Sequence, residues 1–263
     1  MSISVLGGES QNYFVQLFAL SRSSVAQLVR APSHARRGAA ARHLGRQLLL
    51  LTAIGGALVV VLMISFDATE ITLMPPRGTP SLWPVRILTD FGKDIYVLWA
   101  LLAALAVIAL LTPALHGASR ARVLRLGTRV QYVLLAVACS DLLSEILKYA
   151  IGRGRPFVGG KANAFNFMPF AGTEAYFSLP SSHAVTAFAL AFAIGAVWPR
   201  ARAVMFAYAV VIAGTRLVLL AHHPSDVVGG AIVGIAGAMA VRYWFAARRL
   251  GFAIRSDGKI VPI

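Results

Sequence analysis

Charged residues are scarce in this chain, at 13% of its 263 positions, whereas hydrophobic residues make up 58%. An ordinary soluble domain has about 25% charged and about 45–50% apolar residues. The composition therefore excludes a typical water-soluble globular protein. Cysteine is also nearly absent, because Cys139 is the single one, and this excludes an intrachain disulfide. No zinc-binding pattern is present either, and we expect no metal and no cofactor.

Acidic residues are few as well, with 10 Asp and Glu against 25 Lys and Arg and a formal net charge of +15. A strongly basic protein often binds nucleic acid through its phosphate backbone. Here the arginines form short groups between apolar runs, and no basic stripe is interleaved with aromatic residues. This distribution is typical of the loops of membrane proteins, so we expect no nucleic-acid partner.

Long apolar runs dominate the sequence and predict an all-α, polytopic membrane protein whose six transmembrane helices form a bundle. The predicted spans are residues 47–66, 95–115, 129–151, 182–198, 203–221 and 227–246. A membrane domain is therefore expected over residues 47–246, with the lipid bilayer as its partner. Residues 1–46 are expected to form a poorly ordered cytoplasmic extension, with an interfacial amphipathic helix as the alternative, and residues 247–263 a cytoplasmic tail.

The Lys and Arg residues predict the orientation of the bundle. If the amino terminus is cytoplasmic, seventeen of the 25 basic residues lie on the inner side and eight on the outer side. Inner loops of membrane proteins carry the excess of positive charge. Both termini are therefore expected in the cytoplasm, and the loop over residues 152–181 is expected on the outer face.

Three charged residues interrupt the third predicted span, where a charge usually marks a functional site. Asp141, Glu145 and Lys148 are four and then three residues apart, so a helix places them on one face. Asp141 and Glu145 belong to no motif, and we interpret them as a structural cluster that holds helices together. Lys148 begins a motif and is a candidate for the binding of a phosphate.

The segment after Lys148 contains two glycines and Pro156, which end the helix and let the chain turn back. The turn is expected to bring Arg155 toward the Lys148 ammonium. A point charge and a planar guanidinium together are suited to hold phosphate oxygens. Arg153 and Lys161 are interpreted as anchors at the membrane boundary.

A second motif, Pro180 to His183, precedes the fourth span and has the composition of a helix start. Free backbone N–H groups at such a start attract anions. The hydroxyl of Ser181 and the nearby amides are therefore candidates for binding the oxygens of a phosphoryl group. A structural role for His183 at the membrane interface is the alternative.

A third motif supplies Arg216, His222 and Asp226 at the outer ends of the fifth and sixth spans. Asp226 is expected to accept a hydrogen bond from one ring nitrogen of His222, holding the tautomer whose other nitrogen attacks the substrate. His223 is interpreted as a neighbour that faces the interface.

Together the three motifs resemble those of the type 2 phosphatidic acid phosphatase superfamily, which includes vanadium haloperoxidases and bacterial isoprenoid diphosphate phosphatases. The resemblance covers roughly residues 90–246. Two positions depart from the usual pattern, since Ser182 replaces a common glycine and Thr215 a common serine. The first motif is matched by Lys148, Arg155 and Pro156, the second by Pro180 to His183, and the third by Arg216, His222 and Asp226.

The resemblance implies a metal-independent reaction in which His222 attacks phosphorus and forms a phosphohistidine. Asp226 would orient His222, and His183 would protonate the leaving group and then activate water. The phosphate oxygens would be held by Lys148, Arg155, Ser181, Ser182 and Arg216.

The predicted membrane setting favours a lipid phosphate as the substrate, met at the outer face of a bacterial inner membrane. Isoprenoid diphosphate, phosphatidate, phosphatidylglycerol phosphate and lipid A all remain open, as does transfer of the phosphoryl group to another lipid. A non-catalytic binder or transporter of anionic lipids is the alternative from another class. A vanadium-dependent haloperoxidase is a third, which the apolar spans disfavour.

Overall fold

The computed structural model describes residues 12–156, 158–159, 162–255 and 258–263, without the side chains of residues 34–37 and 39–40. The described chain is largely helical, as predicted, and ends in a small antiparallel hairpin inside the predicted tail. The helices are α1 (Tyr13–Val29), α2 (His34–Ser65), α3 (Asp67–Leu73), α4 (Trp83–Asp90), α5 (Asp94–Leu111), α6 (Gly117–Ile151), α7 (Ser182–Val197), α8 (Arg202–Val218) and α9 (Pro224–Arg248); the strands are β1 (Phe252–Ile254) and β2 (Ile260–Pro262).

Within the described residues, five helical runs are long and apolar enough to cross a membrane. They are Ala41–Ser65, Pro80–Ala114, Gly117–Ile151, Pro199–Val218 and Pro224–Arg248. The remaining predicted span, residues 182–198, coincides with α7, whose 16 residues fall short of the roughly 20 that a span needs. Six spans with cytoplasmic termini therefore stay a prediction.

The amino-terminal extension is helical over most of the part that the structure describes. Asn12 caps α1 by accepting a hydrogen bond from the Phe14 amide at 3.2 Å. The Tyr13 hydroxyl donates to the carbonyl of Leu110 on α5 at 2.6 Å. These contacts stabilise α1 against the bundle. The first eleven residues lie outside the described part of the chain.

Helix α9 lies at the centre of the bundle, where it packs against α2, α6 and α7. Glycines let the backbones of α7 and α9 approach closely. A Cβ on Gly230 would lie 2.6 Å from the Ser181 carbonyl oxygen, and one on Gly234 would lie 2.4 Å from that of Val185. The Ser181 amide also donates to the Asp226 carbonyl at 3.0 Å. The starts of α7 and α9 are thus held together, which places two of the motifs side by side.

An aromatic cluster closes the end of the bundle far from these motifs. The ring of Tyr132 on α6 lies 5.4 Å from that of Phe245 and 4.8 Å from that of Phe252. All three rings are buried. The carboxy-terminal hairpin therefore completes the hydrophobic core.

Candidate active site

Lys148 lies in the last turn of α6 and is buried. Its ammonium contacts the Glu145 carboxylate at 2.5 Å and the hydroxyl of Ser182. Gly152 then adopts the left-handed conformation, with φ of +58°, and a Cβ there would lie 1.9 Å from the Met168 carbonyl oxygen. The prediction that glycine ends this helix just beyond Lys148 is confirmed.

Helix α7 begins at Ser182 with Ser181 as its N-cap residue, so the predicted helix start is confirmed. The hydroxyl of Ser181 and the Nε2 atom of His183 are buried and make no hydrogen bond within the described residues. Buried polar atoms are normally hydrogen-bonded, and those at a helix start are well placed to bind an anion. The Ser182 hydroxyl contacts Lys148, so a positively charged ammonium also lies beside the start of α7.

Arg216 lies in the last turn of α8 and is positioned by α4, a helix outside the predicted spans. The hydroxyl of Thr89 on α4 accepts from Arg216 Nη1 at 2.9 Å and lies 2.9 Å from the Thr215 hydroxyl. Arg155 donates through Nε to the Glu174 carbonyl at 3.0 Å. Arg155 and Arg216 line one cavity of about 360 Å³. The structure therefore brings the arginines of the first and third motifs together.

His222 lies in the turn between α8 and α9, and its side chain is only 4% exposed. Its Nδ1 atom is 2.8 Å from the carbonyl oxygen of Ser178. A carbonyl can only accept, so this contact assigns the proton to Nδ1 and leaves a lone pair on Nε2. Burial lowers the pKa of His222 well below its usual value; the charge of Asp226 opposes this shift, and those of Arg216 and Arg155 add to it. The ring is consequently neutral near pH 7.

Asp226 does not make the hydrogen bond to His222 that we expected, since the two side chains are 4.0 Å apart. Its Oδ2 atom instead accepts from the Ser178 hydroxyl at 2.6 Å, the His223 amide at 2.8 Å and His223 Nδ1 at 3.0 Å. The reason is local, because Pro224 starts α9 and makes His223 and Asp226 the two halves of a capping box. Ser178 therefore links the two residues, since its hydroxyl bonds to Asp226 and its carbonyl contacts His222.

Two interpretations of neighbouring residues are wrong. His223 does not face the interface but is fully buried beside Asp226. Arg153 is not a membrane anchor but is also fully buried, and its guanidinium bridges Asp226 at 2.6 Å and Asp67 at 2.7 Å. Asp67 opens α3, a second helix outside the predicted spans, and accepts from the Ser225 amide at 3.0 Å. Lys161, the other predicted anchor, lies outside the described residues.

The two acidic residues of α6 make different contacts at the site. Asp141 accepts a hydrogen bond from the Thr186 hydroxyl on α7 at 2.9 Å. Glu145 pairs with Lys148 on its own helix and is itself half-exposed. The contact of Asp141 agrees with its interpretation as part of a cluster that holds α6 against α7.

Comparisons with known proteins decide the family. The PAP2 superfamily model matches residues 129–250, which hold all three motifs. A lipid A 1-phosphatase of Rhizobium johnstonii is 32% identical over 204 residues, which cover 76% of this chain and 82% of that protein. The chain belongs to the PAP2 superfamily. It is therefore a phosphatase of the type 2 phosphatidic acid phosphatase kind.

Two further relatives also carry the names of phosphatases. A lipid A 1-phosphatase of Rhizobium etli is 35% identical over 140 residues, or 53% of this chain and 60% of that protein. An Escherichia coli relative, provisionally named an undecaprenyl-diphosphatase, is 28% identical over 169 residues, or 64% of this chain and 75% of that protein. No solved structure matches the chain. The apolar helices and these relatives make it an integral bacterial membrane protein.

Proposed function

We propose that this chain is a metal-independent phosphatase that removes a phosphoryl group from a membrane lipid by way of a phosphohistidine. In the first step, Nε2 of His222 forms a bond to phosphorus, and the bond from phosphorus to the lipid oxygen breaks. His183 gives that oxygen a proton. In the second step, His183 takes a proton from water, whose oxygen attacks phosphorus and releases phosphate and free His222.

The hydrogen bond from His222 Nδ1 to the Ser178 carbonyl is the observation that carries this proposal. It holds the ring in the tautomer in which Nε2 is the nucleophile, and burial keeps that ring neutral. The hydroxyl of Ser178 binds Asp226 at the same time, so the position of the carbonyl is itself constrained. A fixed, neutral imidazole is the arrangement that nucleophilic attack requires.

The surrounding charges suit the transition state of phosphoryl transfer, in which negative charge spreads over the equatorial oxygens. Lys148, Arg155 and Arg216 supply three cations, and the start of α7 supplies Ser181, Ser182 and free amides. Two of these cations already line one cavity beside the turn that carries His222. We assign these residues to binding of the transferred phosphoryl group.

The names of the relatives narrow the substrate to a lipid that carries a phosphate, such as lipid A with its 1-phosphate or an isoprenoid diphosphate. A phosphatidate-type lipid is a third choice. The distribution of basic residues supports an active site on the outer face of the inner membrane, toward the periplasm.

Phosphate release by the purified protein in detergent tests this proposal. The panel contains isoprenoid diphosphate, phosphatidate and lipid A, each with and without EDTA. We expect release from at least one lipid that persists in EDTA and is blocked by vanadate, which mimics the five-coordinate transition state. His222→Ala should abolish release, whereas His116→Ala, which alters an exposed histidine, should leave release unchanged.

The same panel separates a phosphatase from a non-catalytic lipid binder. A binder would retain lipid in the wild type and in His222→Ala without releasing phosphate from either. Full activity of His222→Ala would show that His222 is not the nucleophile. Rapid quenching with ³²P-labelled substrate should, in addition, give an acid-labile label on the wild type alone.

A further inference from the structure

Two arginines outside the three motifs line the same cavity as Arg155 and Arg216. Arg77 lies in the connection between α3 and α4, and Arg86 lies on α4. Both precede residue 129, where the match to the superfamily model begins. The 360 Å³ cavity is also lined by Ala221, the residue next to His222. It is therefore a basic cavity adjacent to the proposed nucleophile.

Within the part of the chain that the structure describes, no carboxylate directly contacts the four arginines of this cavity. None of them forms an ion pair with an acidic side chain of the described residues, whereas Arg153 pairs with two. Their other bonds go to uncharged groups, as when Arg86 donates to the Thr79 carbonyl at 3.3 Å. The charge of Arg77 also contributes to lowering the pKa of Arg155, although burial is the main cause. Positive charges that face one another in this way favour a bound anion.

One phosphoryl group does not account for four arginines. Arg155 and Arg216 come from the motifs assigned to the transferred phosphoryl group, and Arg216 still has a buried Nε atom without a partner in the described residues. The cavity volume lies within the range of roughly 300–1,000 Å³ that is usual for ligand pockets, and this exceeds the space that one phosphoryl group needs. Arg77 and Arg86 are both exposed and free to approach a ligand.

We propose that Arg77 and Arg86 form a second anion subsite, which binds a phosphoryl group directly attached to the one that is transferred. This inference rests on the proposed function and makes a lipid diphosphate the preferred substrate class. His222 would attack the terminal phosphorus, and the bond from that phosphorus to the bridging oxygen would break. The bridging oxygen would leave with the electron pair as part of the lipid monophosphate. Arg77 and Arg86 would stabilise the charge that develops there.

Paired substrates test the subsite in the full-length protein in detergent. We expect the wild type to prefer an isoprenoid diphosphate over the corresponding monophosphate. Arg77→Gln and Arg86→Gln should each lower kcat/KM for the diphosphate by about 10- to 100-fold, the effect of losing one charge-assisted contact. For the same variants, kcat/KM for the monophosphate should change by less than about threefold, which is smaller than the effect of losing one such contact. Arg122→Gln, an exposed arginine at the far end of α6, is the matched control.

Inhibition provides a second measurement that does not depend on turnover of both lipids. Pyrophosphate should inhibit the wild type more strongly than orthophosphate, and Arg77→Gln should remove this difference. Equal losses on both substrates, or variants that keep the preference for diphosphate, would overturn the subsite. A preference for a phosphomonoester, including lipid A 1-phosphate, would overturn it too. A wild type that releases phosphate from no lipid would instead reject the proposed phosphatase function itself.

Discussion

Replacement of Arg153 by methionine tests whether the buried ion pairs around the site are essential for stability. The Arg153 guanidinium is fully buried and contacts Asp67 at 2.7 Å and Asp226 at 2.6 Å. It also donates to the Ser225 hydroxyl at 2.6 Å and to the Ala164 carbonyl at 2.8 Å. Methionine fills similar space without a charge, so the two carboxylates would remain buried and unpaired.

Removal of one partner from a buried ion pair costs about 3–5 kcal/mol, because the remaining charge is left without compensation. In a domain of this size, each kcal/mol lowers the melting temperature by about 2–4 °C, so Arg153→Met should melt about 6–20 °C lower. The double variant Arg153→Met with Asp67→Asn removes one of the two uncompensated carboxylates. It should recover at least half of the loss. Asp226 would still accept bonds from Ser178 and His223.

Thermal unfolding in detergent measures these changes, with Arg122→Met as the control at an exposed arginine. At a temperature where Arg153→Met is still folded, its kcat should also fall, because Asp226 without its Arg153 partner would hold Ser178, and through it His222, less firmly. KM should change less than kcat. Two results would refute the reasoning: a melting temperature within 2 °C of the wild type, or a double variant less stable than the single one.

Three further predictions concern pH and packing. Burial and two nearby carboxylates raise the pKa of Glu70 from 4.5 to about 7, so the folded state holds this proton over a range where the unfolded state loses it. The stability of the wild type should therefore fall by about 2.5 kcal/mol as the pH rises from 5 to 8. In Glu70→Gln this pH-dependent contribution should be absent. A difference in stability between the two proteins that does not vary with pH would contradict the prediction. Gly230→Ala should destabilise by about 1–3 kcal/mol, because its Cβ would lie 2.6 Å from the Ser181 carbonyl oxygen. Gly56→Ala, with nothing within 4 Å of its Cβ, should be tolerated, and equal melting of the two variants would argue against the close contact. Because burial lowers the pKa of His222, its ¹⁵N NMR shifts should be unchanged between pH 6 and 7.5, and a midpoint near 6.5 would refute this.

Local sequence signals predicted the helix ends at the site correctly. Glycine after Lys148 gave the end of α6, and the Pro-Ser-Ser-His pattern gave the start of α7. These signals depend on residues within one or two turns of each other, so spacing alone is informative. The same holds for Asp141 and Lys148, which lie on one helix.

Contacts between residues that are far apart in the sequence could not be predicted in this way. Asp67 and Arg153 are 86 residues apart, and Thr89 and Arg216 are 127 apart. The local sequence around one partner does not indicate the other, and α3 and α4 are too short to give a clear periodic signal. A buried arginine flanked by glycines therefore looked like one more basic residue at the end of a span.

The roles of His222 and His223 were separated by backbone geometry rather than by residue type. Because His223 is the N-cap residue of α9, its ring turns toward Asp226 and is buried. His222, one residue earlier, reaches the Ser178 carbonyl instead. The sequence has a carboxylate four residues after His222, but in the structure this carboxylate belongs to Asp226 and forms the capping box with His223.

The contact between His222 and the Ser178 carbonyl has a consequence for the lifetime of the covalent intermediate. A neutral carbonyl stabilises positive charge on an imidazole less than a carboxylate in direct contact does. The ring is therefore a weaker base, and a weaker base departs more readily from phosphorus. In the proposed reaction, the bond between nitrogen and phosphorus would therefore break more readily than it would from a ring paired directly with a carboxylate. The phosphorylated enzyme would then be shorter-lived than it would be with Asp226 in direct contact with His222.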